Sequence, residues 1–255
     1  MSPDLFDMHC HLGFCADSAQ AARELAAQGV GAFSNTVTPE EFAEQQVALA
    51  DAANVRVGAG QHPWWAGEFD SFANWDRLYG LVARNRFIGE VGLDLSPRHA
   101  DTRKAQLDAL VCIAHACART GNKVLSVHAV RAVDQVLDEL ERASVFGGMT
   151  GNACIIHWFS GTSDQLTRAR RAGCFFSVNP RMLESKRGRA YAQAIPVDRL
   201  LLETDEPASA GAPWSVARVR ELLEETLTQL VALRGDDPAE LRDRIAQTSR
   251  TLLQR

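Results

Sequence analysis

Eight short apolar runs punctuate the chain, with helical patterns between them, and no other feature constrains the fold as much. The runs fall at 5–9, 31–37, 55–60, 87–93, 123–129, 154–159, 174–179 and 199–205. Apolar residues recur at helical spacing in the intervals, as at 17–28, 39–53, 102–120 and 133–143. Two further helical stretches, 215–235 and 237–255, close the chain, the second opening on an Asp-Pro helix start. Strands separated by helices lie parallel, because a parallel connection must cross the sheet and a helix spans that distance. Eight such units in 255 residues predict a single-domain (β/α)8 TIM barrel over residues 1–255. An open doubly wound sheet competes with it. That fold expects a glycine-rich turn after the first strand, and this chain has HCHLG there.

Hydrophobic residues make up 46% of the chain, enough for a large core. No apolar run approaches the ~20 residues of a membrane span. The acidic N-terminus, MSPDLFD, lacks a basic-then-apolar signal pattern, so the expected setting is cytoplasmic, without a membrane partner. Six cysteines form no CxxC pair and sit mostly in apolar stretches, which reads as reduced core residues. The net charge of −5 argues against sequence-independent nucleic-acid binding through a basic surface. It leaves room for a nucleic acid held by metal ions and a few local cations.

In a parallel barrel, chemistry gathers at the C-terminal ends of the strands. There the sequence places His9 and His11 after strand 1, His62 after strand 3, Glu90 in strand 4, His128 in strand 5, His157 in strand 6 and Asp205 after strand 8. Side chains two apart on a strand share a face, so His9 and His11 point together and Cys10 points away. Five of the seven histidines thus collect on one rim. A buried carboxylate such as Glu90 is costly unless it is paired or metal-bound. His9, His11 and Asp205 form the ligand set for one divalent ion and His128 and His157 that for a second, with Glu90 bridging. Imidazole and carboxylate suit Zn or Mn, and Mg less naturally. Asp205, touching ion and water, is the candidate general base.

The stretches DMHCHL, GQHP, IGEVGLD, VLSVHAVRA, IIHWFSG and LLETDEP, running from Asp7 to Pro207, resemble the TatD family of metal-dependent hydrolases within the amidohydrolase-like barrels. The resemblance implies a deoxyribonuclease, a 3′–5′ exonuclease on DNA with single-stranded or 3′ ends as substrate. It implies two divalent metal ions (Mg, Mn or Zn) on His9, His11, Glu90, His128, His157 and Asp205. His62 matches a family histidine that approaches the substrate phosphate. KVLSVHAVRA, HWFSG and GCFFSVNPRML are similar to the TatD-like member of Qat-type antiphage defence systems, which implies partner proteins. The chain departs from the family at Val130, where an arginine is usual; Arg131 stands one place later as a substitute phosphate contact. It departs again after GLD, where Leu95-Ser96-Pro97 replaces an aromatic.

A phosphodiester also needs cations at the rim. Arg181, Lys186, Arg187 and Arg189 follow strand 7, and Arg98, Arg103 and Lys104 follow strand 4. Trp64 and Trp65, in a loop after a proline, form a candidate platform for unpaired bases, whereas Trp158 reads as core. Asp94 is expected to support the site from behind, and Glu203 to orient Asp205 or a ligand. Three readings stand at this point: a metal-dependent phosphodiesterase, a deacylase or lactonase acting on a carbonyl substrate, and a subunit active only within a defence complex.

Overall fold

All eight expected strands form in a computed structural model that describes residues 3–68, 72–212 and 214–254. They are β1 (Leu5–Cys10), β2 (Val30–Asn35), β3 (Val55–Gln61), β4 (Phe87–Asp94), β5 (Val124–Val130), β6 (Ala153–His157), β7 (Phe175–Val178) and β8 (Leu200–Leu202). Met1 and Ser2 of the acidic N-terminus and Arg255 of the last helical stretch lie outside the described residues. Each strand pairs in parallel with the next in chain order. The seam between β8 and β1 is closed by Asp205 N–H donating to His9 O at 2.9 Å. Thr204 adds its N–H and hydroxyl, both donated to the Asp7 carboxylate at 3.0 and 2.6 Å. The expectation of a TIM barrel holds; the open sheet does not.

The strands are buried on both faces, as parallel strands flanked by helices must be. Inside the barrel, Phe6, Met8, Phe33, Val124, Ile155 and Leu201 pack together with Leu252 and Leu253 from the last helix. Outside, helices α1 (Ser18–Ala27), α2 (Pro39–Ala48), α3 (Phe72–Arg84), α4 (Arg103–Thr120), α5 (Val133–Arg142), α6 (Ser163–Arg171), α7 (Pro180–Glu184), α8 (Lys186–Ala194), α9 (Val216–Arg234) and α10 (Pro238–Leu253) follow the strands. The fully buried Leu125 and Phe176 each contribute about 1.5–3 kcal/mol by transfer from water. Several helix starts at the rim are fixed by side-chain caps. Asp17, Thr38, Thr162 and Asn179 accept backbone N–H groups of the first turn, and Thr162 completes a capping box with Gln165.

Two register shifts position the site. Between Asp7 and Cys10, β1 advances three residues while β2 advances two. Between Ile88 and Val91, β4 does the same against β3 and β5. Each extra residue is a bulge that re-aims the following side chains. Phe6 and Met8 fill the barrel, and His9 and His11 still turn inward above them. Glu90 likewise faces the barrel axis. At Gly89 a Cβ would stand 2.1 Å from Asn35 Oδ1, and at Gly60 only 1.6 Å from the Thr36 carbonyl, so both approaches require glycine.

Two expectations need correction. The run at 199–205 becomes a strand of three residues: Glu203 N–H still bonds to Val178 O of β7, but Thr204 and Asp205 turn to bond across the seam to β1, and Asp205 takes a φ of +58°. The helix expected at 39–53 stops at Ala48, where the chain turns toward β3.

Candidate metal centre

Glu90 is the hub. It is 2% exposed, and all five rim histidines bring a ring nitrogen within 3.3 Å of its carboxylate. Its two oxygens divide them. Oε2 faces His9 Nε2 and His11 Nε2, both at 3.3 Å. Oε1 faces His128 Nδ1 at 2.7 Å and His157 Nε2 at 2.9 Å, with His62 Nε2 at 3.2 Å. Asp205 Oδ1 joins the first group, 3.7 Å from His9 Nε2 and 3.5 Å from His11 Nε2. The six residues expected as ligands are therefore brought together around Glu90. The groups that converge closely enough to hold an ion are His9–His11–Asp205, as expected, and His9–Glu90–His157 and His62–Glu90–His128 in place of a His128–His157 pair. Asp205 has the most exposed side chain of the six, at 20%, so it alone meets both the cluster and the solvent side.

Hydrogen bonds on the far side of two rings, His11 and His62, assign their tautomers. His11 Nδ1 donates to the Asn35 carbonyl at 3.1 Å, so Nε2 is the nitrogen that faces Glu90 and Asp205. His9 Nδ1 lies 2.6 Å from Ser126 Oγ and stacks its ring on His157 at 3.8 Å. His62 is different. Its Nδ1 accepts the Trp64 backbone N–H at 3.1 Å, so the neutral ring carries its proton on Nε2, the nitrogen that faces Glu90 Oε1 at 3.2 Å. His62, Glu90 and His128 also converge closely enough to hold an ion. The Trp64 hydrogen bond instead assigns His62 to hydrogen-bond donation.

Electrostatics follow from the crowding. Burial pushes the Glu90 and Asp205 carboxyls up, but the surrounding histidines overrule it and hold both below the usual carboxylate range. Burial, helped by neighbouring His128 and His11, takes His62 down to about 4 and keeps it neutral; burial helped by His157 and His11 does the same to His9. Burial also opposes charge on His11, yet the Asp205 and Glu90 carboxylates lift it to about 10; His128 and His157 are raised likewise by nearby carboxylates. The ion-free chain thus balances its buried carboxylates with protons on histidine rings, at the nitrogens that would face cations. The donor set, with imidazole nitrogens and carboxylate oxygens converging in three overlapping groups, fits a divalent-ion centre.

The surroundings refine the remaining expectations. Asp94 lies behind His128, its Oδ2 3.4 Å from Nε2, and the same oxygen accepts the Trp64 indole N–H at 2.8 Å. Glu203 backs His157 rather than Asp205: Oε1 lies 3.9 Å from His157 Nδ1 and accepts from Asn179, while Ser177 donates to Oε2. Trp64, Trp65, Trp158, Phe14 and Arg181 wall a cavity of about 490 Å³ above the cluster. Trp64 is 48% exposed and stacks on His99 at 5.1 Å. Trp158, read from sequence as core, is half-buried and lines this cavity. Among the described lining residues Arg181 is the one Lys or Arg. Arg131 is exposed and outside the lining, and Arg189 is spent on the Leu183 and Glu184 carbonyls. Lys104 pairs with Asp108, and Arg98, Arg103, Lys186 and Arg187 are exposed and also outside the lining.

Sequence reasoning missed Ser126, Asn35, Asp7 and Thr204. Ser126 carried a signal, since it lies two residues before His128 and so on the same strand face. Asn35 and the Asp7–Thr204 seam carried none, because their partners are distant in sequence.

Over residues 6–254 the chain matches the family described as TatD related DNase. It is 28% identical over 269 residues to the 3'-5' ssDNA/RNA exonuclease TatD of Dickeya dadantii, covering 97% of each chain. It is 30% identical over 247 residues to the protein of the same name from Cronobacter sakazakii, covering 89% of this chain and 88% of that one. A hydrolase TatD family protein from Entamoeba histolytica has a similar structure, with a TM-score of 0.80 at 15% identity over 99% of this chain and 98% of the other.

Proposed function

Because the chain belongs to the TatD related DNase family, we propose that it is a divalent-metal-dependent phosphodiesterase that removes nucleotides from the 3′ end of single-stranded DNA. The observation that carries this reading is the division of labour around Glu90. One carboxylate oxygen faces His9 and His11, beside Asp205, and the other faces His128, His157 and the Nε2 of His62. Two divalent ions held by those groups would supply a water of lowered pKa and charge stabilisation for a phosphate. Asp205, the solvent-side carboxylate, takes the proton of the attacking water. His62 Nε2–H hydrogen-bonds a non-bridging phosphate oxygen, and Arg181 meets the phosphate from the opposite rim. Trp64 and Trp65 offer indole surface for an unpaired base, and a cavity of about 490 Å³ suits a chain end better than a duplex. The relatives named as ssDNA/RNA exonucleases support the same substrate class. A carbonyl substrate is less well served, since it gives Arg181 and the His62 donor no anion to bind. Similarity of residues 123–132, 157–161 and 173–183 to Qat-type members supports a finer reading in which the nuclease works with partner proteins in antiphage defence.

The test is a chelator-stripped preparation given a 5′-labelled single-stranded oligonucleotide, with Mg²⁺, Mn²⁺ or Zn²⁺ restored. Laddering from the 3′ end, absent in Asp205→Asn, is expected. Absence of cleavage with every ion, in protein that still binds metal, would overturn the reading.

A further inference from the structure

Arg181 already has a partner. It sits in the first turn of α7, with its guanidinium carbon 5.6 Å from the centre of the Trp158 ring, and it donates to Glu206 Oε1. Glu206 is anchored by its own bonds. Its Oε2 accepts the Ala208 N–H at 3.2 Å, its carbonyl accepts the His11 N–H at 2.9 Å, and its N–H reaches Thr204 Oγ1 at 3.3 Å. The arginine is the looser member, 43% exposed against 19%. Of the pair, only Arg181 lines the cavity above the metal centre.

We propose that Glu206 determines substrate affinity by competing with the scissile phosphate for Arg181. An exposed ion pair contributes little in water, so exchanging one oxyanion for another on the same guanidinium is close to balanced. Trp158 holds the guanidinium near the rim in either state. A phosphodiester that also takes the His62 hydrogen bond outbids Glu206; a phosphate elsewhere on the strand, lacking that bond, does not. Glu206 thereby limits binding to a correctly seated chain end and keeps the only cation of the cavity wall, among the described residues, from holding product. The inference rests on the nuclease reading above.

The experiment measures fluorescence anisotropy of a 5′-fluorescein oligothymidylate titrated with the full chain in EDTA, where cleavage cannot proceed. Glu206→Gln keeps an oxygen for the Ala208 N–H and should bind about fivefold tighter, equivalent to about 1 kcal/mol. Arg181→Ala should bind more weakly than wild type, and adding Glu206→Gln to it should give no gain. Arg181→Lys, with charge but no planar fork, should recover only part of the loss. With ions restored, the Glu206→Gln gain should appear in KM. Should Glu206→Gln not fold, Glu206→Asp, too short to reach Arg181, should shift affinity the same way. An equal gain with and without Arg181 would mean simple charge repulsion and would overturn competition; no gain in either background overturns it too. Wild-type cleavage alongside an unresponsive Glu206→Gln sinks this inference alone. Neither cleavage nor binding by wild type sinks the nuclease reading and this inference with it.

Discussion

Replacing Glu90 with glutamine tests the architecture of the centre more sharply than any other change. Its two oxygens serve the two histidine groups, so a single neutralisation should weaken both ion sites. At an ion concentration of 100 times Kd, each bound ion stabilises the folded chain by about 2.7 kcal/mol, or about 5.4 kcal/mol for two. For a chain of this size each kcal/mol moves Tm by about 2–4 °C, so restoring ions to the chelated wild type should raise Tm by about 11–22 °C. If loss of the shared charge weakens each site about 100-fold, the same ion concentration only half-fills them. The gain then falls to about 0.4 kcal/mol per site, a rise of about 2–3 °C. His11→Ala touches the Oε2 group alone and should keep about half of the wild-type rise. The assay is differential scanning calorimetry of each variant with chelator and with ion, read as the difference. That comparison cancels the effect of the substitution on the ion-free fold, where Glu90 also neutralises protonated histidines. A Glu90→Gln rise equal to that of wild type would refute the bridging role; a rise equal to that of His11→Ala would confine Glu90 to one site.

Asp205→Asn should slow turnover by about 10²–10⁴ while calorimetry still shows binding at the His128 and His157 site; near-normal turnover would move the base elsewhere. Trp64→Ala should raise KM for a single-stranded oligonucleotide about 5- to 150-fold, the equivalent of about 1–3 kcal/mol of stacking, with a smaller effect on kcat. An unchanged KM would remove Trp64 as a base platform. Ser126→Ala removes the nearer of the two partners of His9 Nδ1, Asn35 Nδ2 at 3.2 Å being the other, and should weaken ion binding at the His9–His11 group about 10-fold by isothermal titration calorimetry. Weakening confined to the other group would contradict the assignment of His9.

Much of the centre was legible along the chain because a parallel barrel converts position in a strand into position in space. Any residue at the C-terminal end of an inner strand face reaches the same rim. Placing His9, His11, Glu90, His128, His157 and Asp205 on strand ends therefore amounted to placing them together, without any contact being known. The eight apolar runs, the helical stretch that opens at Asp17, and the pairing of His9 with His11 on one face are local properties, and local spacing is what a sequence displays.

What the sequence could not display are relations between segments far apart. The bulges in β1 and β4 exist only as a count of one strand against its neighbour, yet they set the inward aim of the His9–His11 pair and of Glu90. The Nε2 proton of His62 depends on a backbone N–H that folds back onto its ring, and the orientation of His11 depends on a carbonyl in β2. Arg131 and Arg181 look equivalent as cations after a strand; only the path of the chain after β5 and β7 turns one to solvent and the other to the cavity. The strand order and the rim placement of the histidines and carboxylates were thus determined by the sequence itself, because both follow from spacing along one segment. Which oxygen of Glu90 faces which histidines, which nitrogen of His62 carries the proton and which arginine lines the cavity were decided by tertiary structure, because each is a distance between groups that only folding brings together.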